Sequence, residues 1–287
     1  MRQDLAHSGQ TLREQPINLA HEHFAVYVPA DVPARGYALL VFVPPWQKAI
    51  VPHGWPTILD RNGVIFVSAA ESGNEENIFD RREPLALLAA HNIMRRYPVD
   101  PQRVYIGGFS GGSRVALRIA LGYPDVFHGA LLMGGTDPIG DVQAPLPAPD
   151  LFRQFQNSTR FVYLTGAEDS LNLDKDVGSR LALREWCVFD VDTEGMPRAG
   201  HEAADPISLD RALRALAKHE PADPVKLAGC RARIEGELTV KLQQLSDDLA
   251  NGKLHDASEL LLKIDSRYGG LAASRSIEAA EQIDSRR

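Results

Sequence analysis

Ser110 stands in Gly108-Phe109-Ser110-Gly111-Gly112, a Gly-x-Ser-x-Gly turn. A β-rich run, Val104-Tyr105-Ile106-Gly107, enters the turn, and a helix-competent stretch, Ser113 to Ala120, leaves it. Strand, turn and helix together are the context of a nucleophile elbow. Glycine is needed where two backbones meet at such a turn. Ser110 would sit at its apex with the hydroxyl exposed, and the N–H of Gly111 would face a developing oxyanion.

A serine needs a base, and the base needs an orienting carboxylate. After an elbow serine the expected chain order is acid, then histidine. An apolar run at 161–165 leads into Gly166-Ala167-Glu168-Asp169, and His201 follows a further apolar run at 187–191. We read Ser110 as nucleophile, His201 as general base and then acid, and Asp169 as orienter. Glu168, Asp174 and Asp137 are alternative acids, because each follows a strand that could bring it to the same histidine. A second oxyanion donor should come from the loop after the strand at 37–43, which reads Pro44-Pro45-Trp46-Gln47. Proline has no N–H to give, so Trp46 is the first available donor and Gln47 the next. The Trp46 ring reads equally as a pocket wall or a half-buried anchor.

Other polar clusters read as ordinary. His21 and His23 have no third ligand nearby in sequence, so no metal site is expected, and no cofactor is implied. Arg81-Arg82 reads as solvated charge at a helix end rather than a substrate contact.

The elements that must position these groups alternate between strand and helix from about 21 to 220. Apolar runs at 37–43, 64–68, 104–107, 130–133, 161–165 and 187–191 read as strands covered on both faces. A half-exposed strand at 23–28 precedes them, and 84–97 reads as a helix. Strands joined through helices imply right-handed crossovers, so the fold class is α/β, a doubly wound and mainly parallel sheet. The active residues should lie on loops at the carboxyl ends of its strands. Residues 134–157 read as a loop too short to hold a helical lid, so an open cleft is expected. After Glu220-Pro221 the chain reads as helical to its end, with apolar stripes at Leu238, Leu242, Leu245, Leu249 and at Ala257, Leu260, Leu261, Ile264. We therefore divide the chain into a catalytic domain, 1–221, and a helical C-terminal extension, 222–287. That extension packs on the core or joins two copies into a homo-oligomer.

The chain has 287 residues, 44% of them hydrophobic, and a formal net charge of −7. A globular protein of this size can bury a sizeable core. The acidic balance argues against a nucleic-acid partner. No apolar run is long enough to span a membrane, and Met1–His7 has no apolar signal core. A soluble protein is expected, cytoplasmic as the chain stands and periplasmic or secreted if a signal was trimmed. Two cysteines, Cys187 and Cys230, make no disulfide framework. Reduced, buried thiols are favoured over one bridge pinning the tail to the core.

With Ser110, Asp169 and His201 in this order, the chain resembles the α/β-hydrolase superfamily, and within it the polyhydroxybutyrate depolymerase and feruloyl esterase-like group. The stretch Pro101-Gln102-Arg103-Val104-Tyr105 before the elbow and Gly122-Tyr123-Pro124-Asp125-Val126-Phe127 after it carry the resemblance, which covers roughly 20–220. Where that group commonly has His-Gly at the oxyanion loop, this chain has Pro44-Pro45. The resemblance implies a serine esterase acting on a small or polymeric ester, a depolymerase-like activity. A serine peptidase of the same fold and a catalytically silent binding fold are the rival readings.

Overall fold

The computed structural model describes residues 17–286; Met1–His7 lies outside them. Among the described residues, β1 (Phe24–Tyr27), β2 (Tyr37–Val43), β3 (Val64–Ala69), β4 (Val99–Phe109), β5 (Gly129–Met133), β6 (Arg160–Gly166) and β7 (Val191–Met196) form one sheet. Their order is β1-β3-β2-β4-β5-β6-β7. β1 pairs antiparallel with β3, and every other pairing is parallel. From β2 the chain moves outward to β3, then returns to β4 on the other side. The reversal makes the gap between the ends of β2 and β4 the topological switch point, where open α/β sheets hold their ligands. The two segments that leave this gap are Pro44–Gln47 and the turn at Ser110.

Every residue of β2, β3, β5 and β6 is buried, as continuous apolar runs require when helices cover both faces. On one face α1 (Trp55–Asn62) and α6 (Pro206–Leu216) pack Trp55, Leu59, Leu209 and Leu213 against Leu40, Phe42 and Leu131. On the other face lie α2 (Glu83–Arg96), α3 (Gly111–Gly122), α4 (Pro149–Ser158) and α5 (Ser170–Glu185). Three further helices, α7 (Pro224–Ala250), α8 (Leu254–Tyr268) and α9 (Ala273–Asp284), continue that second layer. Ile234, Leu245, Leu249, Ile264 and Tyr268 bury their stripes in the same apolar cluster as Val41 and Ile106. None of the helices among the described residues is long and apolar enough to cross a membrane.

Three local expectations change. The run 187–191 is not a strand: Cys187 and Val188 are buried in the connection after α5, and the neighbouring strand is the polar edge, Val191–Met196. Burial under helices asks for the same apolar residues as burial in a sheet, so periodicity does not separate the two. The loop expected over 134–157 gives way to α4 from Pro149, where proline's missing N–H costs nothing at a helix start. The cysteines are not reduced. Cys187 and Cys230 are bonded, with Cα atoms 5.8 Å apart and a sequence separation of 43 residues. Cys187 takes a φ of 66° in the turn that faces α7, and this brings its sulfur to the helix.

Candidate active site

Ser110 ends β4 and starts α3 with φ 55° and ψ −122°. A non-glycine residue held there costs about 1–3 kcal/mol. Its surroundings fix it: the Ser110 N–H donates to the Met133 carbonyl at 2.8 Å, and the Ser113 N–H donates to the Ser110 carbonyl at 3.0 Å. A Cβ on Gly108 would collide with the backbone of Gly112, and one on Gly112 with the carbonyl of Val43. These two glycines let α3 begin hard against the end of β2.

The Ser110 Oγ lies 2.9 Å from His201 Nε2, and His201 Nδ1 lies 2.6 Å from Asp169 Oδ2. Asp169 follows β6 and His201 follows β7, so all three groups leave carboxyl ends of strands. The short contact to a carboxylate places the imidazole proton on Nδ1. Nε2 is then an acceptor for the serine hydroxyl. Asn172 Nδ2 reaches both Asp169 oxygens at 2.9 Å. It is also 3.1 Å from His201 Nδ1, but that nitrogen is already a donor, so the amide serves the carboxylate. Burial opposes ionisation of Asp169, yet the hydrogen bonds from Asn172 and His201 outweigh it and hold the carboxyl below its ordinary range. The His201 side chain remains 43% exposed and packs against Phe109, ring centroids 4.8 Å apart and planes tilted by 34°.

The other candidate acids lie elsewhere. Glu168 and Asp174 point to solvent, and Asp137 faces Arg114 at 3.4 Å. Of the four carboxylates, Asp169 is the one that meets the histidine. Asn172 has no mark in the sequence beyond its place one turn after Asp169. If the relay is catalytic, Asn172→Ala is expected to lower its turnover about tenfold, read as kcat with KM little changed; parental kcat would deny Asn172 an orienting role.

Trp46 packs its ring on Phe42 and Phe109, centroids 6.1 and 6.4 Å away, so it anchors the loop. The loop's carbonyls are engaged on one side. Arg82 donates to Pro44 O and Ser72 O, each at 3.0 Å, the Asn74 N–H to Pro45 O at 3.1 Å, and the Glu71 N–H to Gln47 O at 2.6 Å. The peptide between Pro45 and Trp46 is trans, so the Trp46 N–H points opposite to the engaged Pro45 carbonyl. It has no acceptor among the described residues. The Gly111 N–H, first in α3, has no partner within its helix.

Arg82 corrects one expectation. It is 3% exposed, and burial pulls its guanidinium down to about 10 despite the opposing influence of Glu76. Arg81 beside it pairs with Glu22 at 2.8 Å. The pair is structural rather than solvated.

Below the relay, Asp176 is buried, accepting the Thr165 hydroxyl at 2.5 Å and the Thr136 N–H at 3.1 Å. Burial lifts its carboxyl to about 6, the two hydrogen bonds offsetting only part of that cost. The native state therefore holds a proton that the unfolded chain has lost between about pH 4 and 6. Stability falls as pH rises through that window, and the cost is full above it. In Asp176→Asn the slope should flatten, the variant gaining about 1–3 kcal/mol on its parent between pH 4 and 7. Urea midpoints across that range check this, and parallel curves would rule it out.

A mostly parallel sheet with one antiparallel edge, helices on both faces and a strained serine turn at the switch point define the α/β-hydrolase fold. Among solved structures the chain is similar to a ferulic acid esterase, with a TM-score of 0.52 and 16% identity over 68% of this chain and 92% of that one. It is similar also to S-formylglutathione hydrolase (FrmB) from Staphylococcus aureus, with a TM-score of 0.50 and 12% identity over 68% and 91%. A third likeness, to Porphyromonas gingivalis dipeptidyl peptidase 4, covers 33% of that longer chain at a TM-score of 0.48 and 15% identity. No family model matches the chain, and no curated protein matches it in sequence. Likeness at such identities speaks for the fold alone.

Proposed function

We propose that the chain is a serine carboxylic-ester hydrolase working through an acyl-enzyme. The observation that carries this reading is the continuous relay from Ser110 Oγ through His201 to Asp169, at 2.9 and 2.6 Å. As the serine oxygen attacks the ester carbonyl, His201 Nε2 takes its proton, and Asp169 stabilises the imidazolium. The Gly111 and Trp46 N–H groups receive the oxyanion, each worth about 3 kcal/mol of barrier. His201 then protonates the departing alcohol. Water enters, gives its proton to Nε2, attacks the acyl carbonyl, and Ser110 leaves as the free hydroxyl. Residues 1–221 carry this chemistry in our reading, and 222–287 form a helical extension on the layer opposite α1 and α6.

A cleft of about 530 Å³ opens at Gly111, the residue after the nucleophile; Ser110 and His201 stand outside its lining, and its volume suits a small ester or the end of a polyester chain. The test is reaction with a fluorophosphonate, with the modified residue located by peptide mass mapping, alongside hydrolysis of p-nitrophenyl esters of rising acyl length. Labelling at Ser110 and turnover with a chain-length optimum are expected. Absent labelling would point to a silent fold, and peptide cleavage without ester cleavage to a peptidase; either overturns the proposal.

A further inference from the structure

The cleft that opens at Gly111, one residue past the nucleophile, is charged. Gly111, Arg114 and Arg118 share one face of α3, at spacings of three and four residues. With a rise of 1.5 Å per residue, the two arginines stand about 4.5 and 10.5 Å along the helix from Gly111. Both line the cleft, joined by Arg82 from the turn before α2 and by Phe79 across the gap. The Arg118 guanidinium lies 4.9 Å over the Phe79 ring. Its Nε is buried without a hydrogen-bond partner, and no carboxylate comes within salt-bridge distance of it among the described residues. On its far side stands Glu83, but that carboxylate accepts the Tyr123 hydroxyl at 2.8 Å. Arg82 likewise has no carboxylate partner, its guanidinium donating to the Ser72 and Pro44 carbonyls and reaching Asn74 Oδ1 at 3.5 Å. Only Arg114 is paired, its Nε lying 3.4 Å from Asp137 Oδ1 without a hydrogen bond. Two half-buried guanidinium groups, Arg114 and Arg118, therefore face one carboxylate, with the buried Arg82 adding positive charge behind them, in a concave site whose remaining walls include Ile78, Leu117 and Val142.

From this we infer that the substrate is an ester carrying a free carboxylate a few bonds from the scissile carbonyl. The inference rests on the esterase reading and names its substrate class. Guanidinium groups bind carboxylates through paired, charge-assisted hydrogen bonds. A cation held against apolar walls gains most from such a partner, because the concave site weakens competition from water. Apolar contacts would hold the intervening methylenes. The spacing from Gly111 to the arginines suits a chain of about the length of adipate, with its free carboxylate between Arg114 and Arg118.

The experiment compares p-nitrophenyl hydrogen adipate with p-nitrophenyl hexanoate, esters of equal chain length that differ in charge. A second arm compares 4-carboxyphenyl hexanoate with phenyl hexanoate, which places the charge on the leaving group. In at least one arm the charged ester should be preferred about 10–100-fold in kcat/KM, the range for a hydrogen bond to a charged group. Arg118→Met keeps the side chain's apolar bulk on Phe79 and should bring that ratio close to one. Asp137→Asn removes the competing carboxylate and should raise it. A ratio near one in both arms, or one unmoved by Arg118→Met, overturns the inference, while Ser110-dependent hydrolysis of the neutral esters would still uphold the esterase reading. If no ester is turned over, that reading fails by itself. Calorimetric binding of monomethyl adipate to Ser110→Ala then decides the pocket: binding weakened at least tenfold by Arg118→Met supports it, and absent binding overturns it.

Discussion

Ser110→Ala is expected to lower kcat on p-nitrophenyl esters by about 10⁶-fold, close to the loss seen when a serine nucleophile and its base act as one unit. The reason is geometric. His201 Nε2 accepts from the Ser110 hydroxyl at 2.9 Å, and no second hydroxyl stands in that relay. The variant should remain folded, because alanine at φ 55° bears the same backbone strain as serine and keeps the N–H bond to Met133. Near-parental thermal unfolding combined with lost turnover is the expected pair of observations. Asp169→Asn makes a graded companion. It would set an amide NH₂ against either the His201 Nδ1 proton or the Asn172 donor, favouring the wrong imidazole tautomer, and should cost about 10⁴-fold. Turnover in Ser110→Ala above one per cent of the parent would sink the serine mechanism.

What could be read from the chain beforehand follows from the range of the forces involved. The elbow is local, since glycines 108 and 112 stand beside the serine they make room for, and the pattern around Ser110 shows in a short window. The parallel strands were legible because burial on both faces leaves uninterrupted apolar runs, as in β2 and β6. The choice of carboxylate was less so. Glu168 and Asp169 are adjacent, and only the direction of the turn after β6 decides which one faces His201. Arg82 looked like surface charge because nothing nearby in sequence shows that loops 44–47 and 70–76 close over it and hand it their carbonyls. The stretch 187–191 deceived for a related reason. Cys187 and Val188 are buried in the connection that faces α7, Phe189 is half-buried, and only Val191 enters the sheet, as the first residue of β7. That same helix brings Cys230 to Cys187, a contact between residues whose pairing no spacing rule supplies. The stacking of Arg118 on Phe79 likewise depends on a π-helical turn, Ile78–Arg82, of a kind too rare to foresee.

The second large effect concerns that bridge. Cys187→Ser combined with Cys230→Ser is expected to destabilise the chain by about 2–4 kcal/mol, the usual range for a native disulfide, with about 4 kcal/mol as the loop-closure figure for a 43-residue separation. Contacts near the bridge should not replace it. Around Cys230, α7 is docked by Arg231 on Gln156 at 2.6 Å, by Arg233 on the Glu185 carbonyl at 2.7 Å and by Lys226 over the Phe189 ring at 4.1 Å. Half-exposed polar contacts of this kind are each worth about 1 kcal/mol or less. The apolar stripes of α7 and α8 are the stronger hold, and they should keep the helices docked in the variant at low urea. Hydrolysis should change little there, because the bridge lies beyond the far end of α5. That helix has 16 residues, which separates Asp169 from Cys187 by about 24 Å. The expected signature is thus a lower urea midpoint with kcat preserved below the transition, reproduced in the parent by a reductant. An unchanged midpoint would mean that apolar packing alone fixes the helices, and loss of kcat at low urea would mean that α5 transmits the state of its carboxyl end to Asp169.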